Sequence, residues 1–213
     1  MFTLYHCKSA RSLRALWALE ETGLPYDLKM LPFPPRAKAK EYLDINPLGT
    51  VPAFFEGSQR MTESAAICHY VASKDPAKAI SVSEADSRFG SYLNWLHFGE
   101  ATLTFPQTLV LRYGQLEPPE RRLPQAAEDY RKWFLGRVRG LEETLAENQY
   151  LLGEQFTAAD ISVGYALFLA RLLGIDGEFS DNVRSYAERT QSRDAFQRSL
   201  AIEKQAAEDQ GVA

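Results

Sequence analysis

Side chains that can donate to an anion, together with one thiol, cluster near the start of the chain, at Tyr5, Cys7, Ser9, Arg11 and Ser12. A hydroxyl or a guanidinium donates hydrogen bonds, whereas a cysteine acts as a nucleophile only as its thiolate. In the segment Cys7-Lys8-Ser9-Ala10, alanine occupies the position of the second cysteine of a Cys-x-x-Cys redox motif. We therefore predict that Cys7 is a half-buried, inert thiol.

A second candidate segment is Val51-Pro52, which directly precedes a predicted strand. The cis form of an X-Pro bond costs only about 0.5–1 kcal/mol, so a cis bond is feasible here. Such a bond would turn the N–H and C=O of Val51 outward as an unpaired edge, with which an extended peptide can pair. The spacing alone leaves the cis and trans forms open.

A third candidate is Glu63-Ser64, at the predicted start of a helix. Free N–H groups and the positive end of the helix dipole favour a bound carboxylate there. Simple capping explains the same residue types, because acidic residues and serine are common at helix N-termini without any ligand. In the basic segment before it, Lys40 is suited either to bind a carboxylate or to remain solvated.

Composition limits the classes of function. The chain has 213 residues, 45% of them hydrophobic, and its 24 Lys+Arg against 28 Asp+Glu give a net charge of −4, as in a soluble globular protein. A mildly acidic chain without a basic run is a poor nucleic-acid binder, and no apolar stretch reaches the roughly 20 residues that cross a membrane. The three histidines have no cysteine or carboxylate companions at ligand spacing, so we predict no metal. With no signal peptide and two cysteines, Cys7 and Cys68, we expect a cytoplasmic protein with free thiols.

The periodicity predicts two domains. Residues 1–75 follow the pattern strand, helix, strand, irregular helix, two strands, helix, and the opening strand–helix–strand predicts a parallel crossover. Residues 76–82 are expected to form a linker. Residues 83–213 show almost no strand signal and predict an all-helical domain, in which Ser83 with Asp86 and Thr157 with Asp160 are candidate capping pairs.

Four segments in this order resemble the cytosolic glutathione transferases, over nearly the whole chain. They are residues 4–26, with Arg11, Arg14 and Leu16-Trp17-Ala18-Leu19-Glu20-Glu21, then Asn46-Pro47-Leu48-Gly49-Thr50-Val51-Pro52, then Glu63-Ser64-Ala65-Ala66-Ile67 with Tyr70, and finally Tyr150-Leu151-Leu152-Gly153 with Phe156-Thr157-Ala158-Ala159-Asp160-Ile161. The resemblance implies an α+β/α architecture, in which a thioredoxin-like βαβ-α-ββα domain precedes an all-α helical bundle. It also favours the cis form of the Val51–Pro52 bond.

The resemblance further implies a glutathione S-transferase, which conjugates the glutathione thiolate to hydrophobic electrophiles, with glutathione as co-substrate and a homodimer as the assembly. The expected glutathione-binding residues are Val51, Pro52, Glu63, Ser64 and Lys40. The expected activators of the thiol are Ser9 first, followed by Tyr5, Ser12 and Arg11. Trp95, Phe98, Tyr113, Phe168 and Phe105 are candidates to line the electrophile pocket.

Each of these assignments has a structural alternative. Tyr5 is suited to core packing, Ser9 and Ser12 to capping of the first helix, and Thr157 and Asp160 to capping rather than chemistry. Alternative functions on the same scaffold are a glutathione-dependent peroxidase, isomerase, dehalogenase or disulfide reductase, or a non-catalytic module that binds glutathione or another ligand. Fold does not by itself decide among them.

Overall fold

The computed structural model, which describes residues 1–212, places a mixed four-stranded sheet in the first part of the chain. Its strands are β1 (Phe2–His6), β2 (Tyr26–Met30), β3 (Ala53–Glu56) and β4 (Gln59–Met61), in the spatial order β2-β1-β3-β4. β1 and β2 are parallel, as the crossover pattern predicts, and β3 runs antiparallel to β1 and to β4. The predicted α+β arrangement of this domain is confirmed.

Within residues 1–81 the chain also forms four helices: α1 (Leu13–Thr22), α2 (Pro35–Lys38), α3 (Tyr42–Ile45) and α4 (Ser64–Lys74). α1 packs against α4 and buries Leu13, Leu16 and Trp17 completely. It ends at Gly23, whose φ of 65° lies in the left-handed region that glycine adopts without strain, and whose N–H donates to the carbonyl of Leu19 at 2.8 Å. The chain reversal to β2 is thus encoded locally.

The middle of the chain, Val82–Gln191, forms a separate helical unit. Its α-helices are α5 (Phe89–His97), α6 (Phe105–Leu111), α7 (Pro124–Val138), α8 (Glu142–Glu147), α9 (Ala158–Leu172) and α10 (Asp181–Gln191). Wider π-helical turns follow α5 at Phe98–Thr104 and α6 at Arg112–Leu116, and short 3₁₀ turns lie at Pro119–Arg121, Arg139–Leu141 and Asp176–Glu178. The predicted all-helical region is confirmed, whereas its π-helical turns left no recognisable sequence signal.

The two predicted capping pairs have different outcomes. Thr157 and Asp160 form a capping box at the start of α9, with the Asp160 carboxylate accepting from the Thr157 N–H at 2.8 Å. Ser83 and Asp86 do not start a helix, and α5 begins only at Phe89. The carboxylate of Asp86 instead accepts from the backbone N–H of Arg88 at 2.8 Å and from its guanidinium, which removes it from a capping role.

The last helix, α11 (Asp194–Asp209), groups with the sheet domain rather than with the helical unit. The compact units are residues 1–81 together with the chain from Ser192 onward, and residues 82–191, whereas the sequence pattern assigned everything after residue 82 to the helical domain. The reason is side-chain packing: α11 lies against α1, with the rings of Phe196 and Trp17 in edge-to-face contact at 4.7 Å. The guanidinium of Arg193 also pairs with the Glu21 carboxylate at 2.6 Å. Over residues 1–212, no helix is both long and apolar enough to span a membrane.

Candidate functional site

The register of the sheet brings three of the predicted segments to one end of its two inner strands, β1 and β3, and this end is called the edge here. Tyr5 pairs with Ala53, which directly follows Pro52, so the end of β1 meets the start of β3. Phe54 pairs with Met61, two residues before Glu63, so the start of α4 follows from the same part of the sheet. The turn after β1, the Val51–Pro52 bond and the start of α4 therefore lie together at this edge.

The turn between β1 and α1, residues 7–12, is tightly hydrogen bonded and is called here the first turn. The Ala10 N–H donates to the carbonyl of Cys7 at 3.1 Å, and the Leu13 N–H donates to that of Ala10 at 2.8 Å. Ser9 has a φ of 56°, in the left-handed region that few residues with a side chain adopt. Because this conformation is unfavourable for a residue with a Cβ, contacts with the surrounding residues must stabilise it at Ser9.

Ser9 is partly exposed and is held by Glu203 of α11. Its N–H donates to Glu203 Oε2 at 2.9 Å, and its hydroxyl donates to Oε1 at 3.3 Å. Arg11 is also partly exposed and lies in the same turn. Of the four predicted activators of the thiol, these two combine a place in the first turn with access from outside.

Ser12 and Tyr5 are placed differently. Ser12 is completely buried, its Oγ lies 2.7 Å from Nδ1 of His6, and the oxygen accepts from the N–H of Cys7 at 3.4 Å. Tyr5 lies within β1, with its ring 5.6 Å from that of Tyr42 and 5.9 Å from that of Phe55. These contacts favour the packing and structural roles that the sequence left open for both residues.

Cys7 is completely buried, further than the half-buried position expected from the sequence. Its Sγ lies 3.8 Å from the carbonyl oxygen of Pro32. Burial raises the pKa of the Cys7 thiol to about 12, because desolvation disfavours the thiolate. The structure thus supports the interpretation of Cys7 as an inert thiol.

The Val51–Pro52 bond is cis, as the resemblance implied. Val51 is half-buried, and its N–H and C=O have no hydrogen-bond partner among residues 1–212. The preceding bend is held by Asn46, whose side chain donates to the carbonyl of Thr50 at 2.8 Å and accepts from the N–H of Leu48 at 3.3 Å. An unpaired stretch of backbone in a rigid bend is the geometry that an extended peptide needs as a partner.

Glu63 and Ser64 stand at the start of α4, as predicted. Glu63 occupies the N-cap position, but its exposed side chain makes no capping hydrogen bond, so capping does not explain this carboxylate. Ser64 is 3% exposed, and its Oγ accepts from the guanidinium of Arg14 at 3.3 Å. Lys40 precedes α3 as an exposed side chain that has no ion-pair partner in the described part of the chain.

The sequence interpretation missed Glu203 and His6. Glu203 is 2% exposed, and its Oε2 lies 2.9 Å from Nε2 of the completely buried His6. The available signal was the position of Glu203 on α11, where it shares a helical face with the buried residues Phe196 and Ser199. A carboxylate on an apolar helix face needs a partner inside the protein, which the sequence alone did not identify.

The candidates for the electrophile pocket all lie in the helical unit. Trp95 and Phe98 are half-buried and in edge-to-face contact at 5.2 Å, and Tyr113 is also half-buried. Phe168 is buried and Phe105 is 48% exposed. Of the five candidates, Phe168 is thus the one that burial removes from contact with a ligand, whereas the other four retain accessible surface. No group of three or more possible metal ligands lies together within residues 1–212.

Two family models match the chain. Residues 8–74 match the glutathione S-transferase N-terminal domain, and residues 124–197 match the glutathione S-transferase C-terminal domain. The first match contains the first turn, the cis-proline bend and the start of α4.

Curated relatives and a solved structure agree with these matches. The chain is 31% identical to glutathione S-transferase 2 of Schizosaccharomyces pombe, over 84% of this chain and 80% of the relative. It is 27% identical to glutathione S-transferase 3 of the same organism, over 80% of this chain and 75% of the relative. The structure is similar to a ternary complex of BphK, a bacterial GST, with a TM-score of 0.84 and 26% identity over 95% of this chain and 99% of that one.

Proposed function

Because the chain belongs to the glutathione S-transferase family, we propose that it binds glutathione and conjugates the glutathione thiolate to a small hydrophobic electrophile. The observation that carries this proposal is the unpaired backbone of Val51 beside its cis proline, at the edge where the first turn and α4 also begin. A protein that used this scaffold only for folding would have no need of such an edge.

Binding follows from the groups at this edge. The cysteinyl N–H of glutathione donates to the carbonyl of Val51, and the cysteinyl carbonyl accepts from the Val51 N–H, as in an added strand. The γ-glutamyl carboxylate lies at the start of α4, where Ser64 and the helix dipole favour an anion. Glu63 pairs with the γ-glutamyl amine, and Lys40 pairs with the glycyl carboxylate.

Catalysis requires the thiolate, because a thiol with a pKa of about 8.5 is mostly protonated at neutral pH. The first turn directly precedes α1, so the dipole of that helix favours a negative sulfur. Ser9 donates a hydrogen bond to the sulfur, and Arg11, which lies in the same turn, supplies its guanidinium as a second donor to the sulfur. The sulfur lone pair then forms the S–C bond, and the leaving group departs with the electron pair of the bond that breaks.

Binding through Val51 can be tested on the ligand, so that the fold stays intact. A glutathione analogue methylated on its cysteinyl nitrogen loses one backbone hydrogen bond, worth about 0.5–1.5 kcal/mol, and should bind about 2–10-fold more weakly by titration calorimetry. An analogue methylated on the glycyl nitrogen is the matched control and should bind as glutathione does. Failure of the unmodified tripeptide to bind would overturn the proposed function.

The alternative activities differ in their need for a protein thiol. A disulfide reductase on this scaffold requires a reactive cysteine, and the burial of Cys7 argues against that activity. Turnover of an activated chloronitrobenzene by the wild type, retained in Cys7→Ala, is the result expected of a conjugating transferase. Glutathione binding without turnover of any of several electrophiles would instead favour a binding module.

Assembly and location belong to the same proposal. Family membership supports a homodimer, which sedimentation velocity of the purified protein would detect as about twice the mass of 24.0 kDa. Cys7 and Cys68 are both buried thiols, which is usual for proteins of a reducing compartment and supports a cytoplasmic location.

A further inference from the structure

Glu203 links the C-terminal helix to the residue that the proposed function places at the sulfur. We infer that Glu203 is a positioning residue that holds Ser9 in its left-handed conformation and competes with the glutathione thiolate for the Ser9 hydroxyl proton. The inference rests on the proposed function, and it adds a control of thiol activation from the far end of the sequence.

The direction of each hydrogen bond follows from the chemistry of the groups. A carboxylate only accepts, so Ser9 must donate both of its bonds to Glu203, one from its N–H at 2.9 Å and one from its hydroxyl at 3.3 Å. Nε2 of His6 lies 2.9 Å from Glu203 Oε2 and, because a carboxylate only accepts, must donate to it, while Nδ1 of His6 lies 2.7 Å from the Oγ of Ser12. Glu203 thus accepts from three donors, which is the condition for burying a carboxylate at low cost.

The backbone of Ser9 needs this support. A left-handed φ costs a residue with a side chain about 1–2 kcal/mol, and the bond from the Ser9 N–H to a buried carboxylate offsets such a cost. Because Glu203 is 2% exposed, it does not move freely into solvent. α11 thus holds the first turn in one conformation.

The same contact restrains activation of the thiol. Ser9 has one hydroxyl proton, and while it is donated to Glu203 it is not donated to sulfur. The two acceptors are both anions near one donor, and a nearby negative charge also disfavours the thiolate. Removing the charge of Glu203 while keeping its shape should therefore make the bound thiol more acidic.

Glu203→Gln makes this change with little alteration in volume. The amide oxygen replaces Oε2 as acceptor for His6 and for the Ser9 N–H, and the amide NH₂ faces the Ser9 oxygen, which frees the hydroxyl proton for sulfur. The pKa of bound glutathione, followed by ultraviolet difference absorbance of the thiolate against pH, should fall by about one unit relative to the wild type. Glu208→Gln, on the exposed face of the same helix, is the matched control and should leave the pKa unchanged.

Two further variants separate the charge from the hydrogen bond. Glu203→Asp keeps the charge but sets the carboxylate back by one methylene, so loss of its bond to Ser9 should still lower the thiol pKa; it also carries the test if Glu203→Gln does not fold. In a Ser9→Gly background, where glycine keeps the left-handed conformation without a hydroxyl, Glu203→Gln should lower the thiol pKa by less than it does with Ser9 present.

The outcomes are distinguishable. If the wild type does not bind glutathione, the proposed function fails and the inference fails with it. If the wild type binds and conjugates, but Glu203→Gln and Glu203→Asp leave the thiol pKa unchanged or raise it, only the inference is overturned. An equal shift in the Ser9 and Ser9→Gly backgrounds would reject competition for the proton and leave only an effect of charge.

Discussion

The guanidinium of Arg14 donates to the hydroxyl oxygen of Ser64 at 3.3 Å, and so joins the N-terminal end of α1 to the N-terminal end of α4. Arg14 is completely buried, and its backbone carbonyl also accepts from the Cys68 thiol of α4 at 3.3 Å. The starts of the two helices are thereby held side by side. Any anion bound at the start of α4 then lies close to the segment that carries Ser9 and Arg11.

Glu63→Gln tests whether the carboxylate at the start of α4 binds a ligand. Because Glu63 makes no capping hydrogen bond, the substitution should leave the melting temperature unchanged. Loss of a charged pair with the γ-glutamyl amine, worth about 1.5–3 kcal/mol, should weaken glutathione binding about 10–100-fold in calorimetry.

The control for this prediction is Glu41→Gln. Glu41 is also an exposed glutamate at an N-cap position without a capping hydrogen bond, at the start of α3, so the same chemical change is made outside the proposed contacts. Equal affinities for wild type and Glu63→Gln would contradict the assignment of Glu63.

The two cysteines should be unreactive in the folded protein. Both are completely buried, and with its pKa raised to about 12, Cys7 has about 10⁵-fold less thiolate than thiol at neutral pH. An aromatic disulfide reagent should therefore label neither thiol rapidly in buffer and both in concentrated urea. Rapid labelling of one thiol in the native protein, lost in Cys7→Ala, would show that Cys7 is reactive after all.

The crossing of the Phe98–Thr104 turn with α9 should not tolerate a side chain at Gly99. A Cβ there would lie 2.5 Å from the backbone carbon of Ser162 and 2.5 Å from its Oγ. Gly99→Ala should therefore lower the free energy of unfolding by about 1–3 kcal/mol, measured by urea denaturation.

Gly136→Ala is the matched control for Gly99→Ala. Gly136 lies inside α7, and a Cβ there has no neighbour within 4 Å. Since alanine is the better helix former, this substitution should raise the free energy of unfolding by about 0.5–1 kcal/mol. Opposite signs for the two variants would show that close packing, and not helix propensity, decides the effect at Gly99.

Asp160 should contribute to stability through its three buried partners. Its carboxylate accepts from the N–H groups of Leu151 and Thr157 and from the hydroxyl of Tyr186 at 3.0 Å. Asp160→Ala leaves these donors unsatisfied and should cost about 2–4 kcal/mol of unfolding free energy. Asp181→Ala, which changes an exposed acid in the first turn of α10, should change it by less than about 0.5 kcal/mol.

The effect of Asp160 should also depend on pH. Burial raises the pKa of this carboxyl to about 6 in the folded protein, against about 3.9 in the unfolded chain. Between these values the folded state holds a proton that the unfolded state has lost, so stability falls as the pH rises. The stability advantage of wild type over Asp160→Ala should accordingly decline by up to about 3 kcal/mol from about pH 4 to above pH 6. An advantage that grows over this range would contradict the raised pKa.

Local chemistry in the sequence was sufficient for much of the fold. The opening strand–helix–strand order and the capping box at Thr157 each follow from residues that are near neighbours in the sequence. The start of α5 was predicted too early. Ser83 and Asp86 are residue types that cap helices, but the carboxylate of Asp86 accepts from the backbone N–H and the guanidinium of Arg88 in the folded chain. Where a polar side chain has several partners to choose from, residue spacing does not determine which one it meets.

In the candidate site, too, some features follow from local sequence and others depend on contacts between distant parts of the chain. Residue types and order made Val51-Pro52, Glu63-Ser64 and the hydroxyls after β1 candidates, because each is a continuous segment, but only the resemblance favoured the cis form of the Val51–Pro52 bond. Glu203 is far from Ser9 and His6 in the sequence. It contacts them only because α11 packs against α1. Such contacts depend on how distant elements share a buried face, which is why the linkage of Ser9 to the C-terminal helix was decided by the tertiary structure alone.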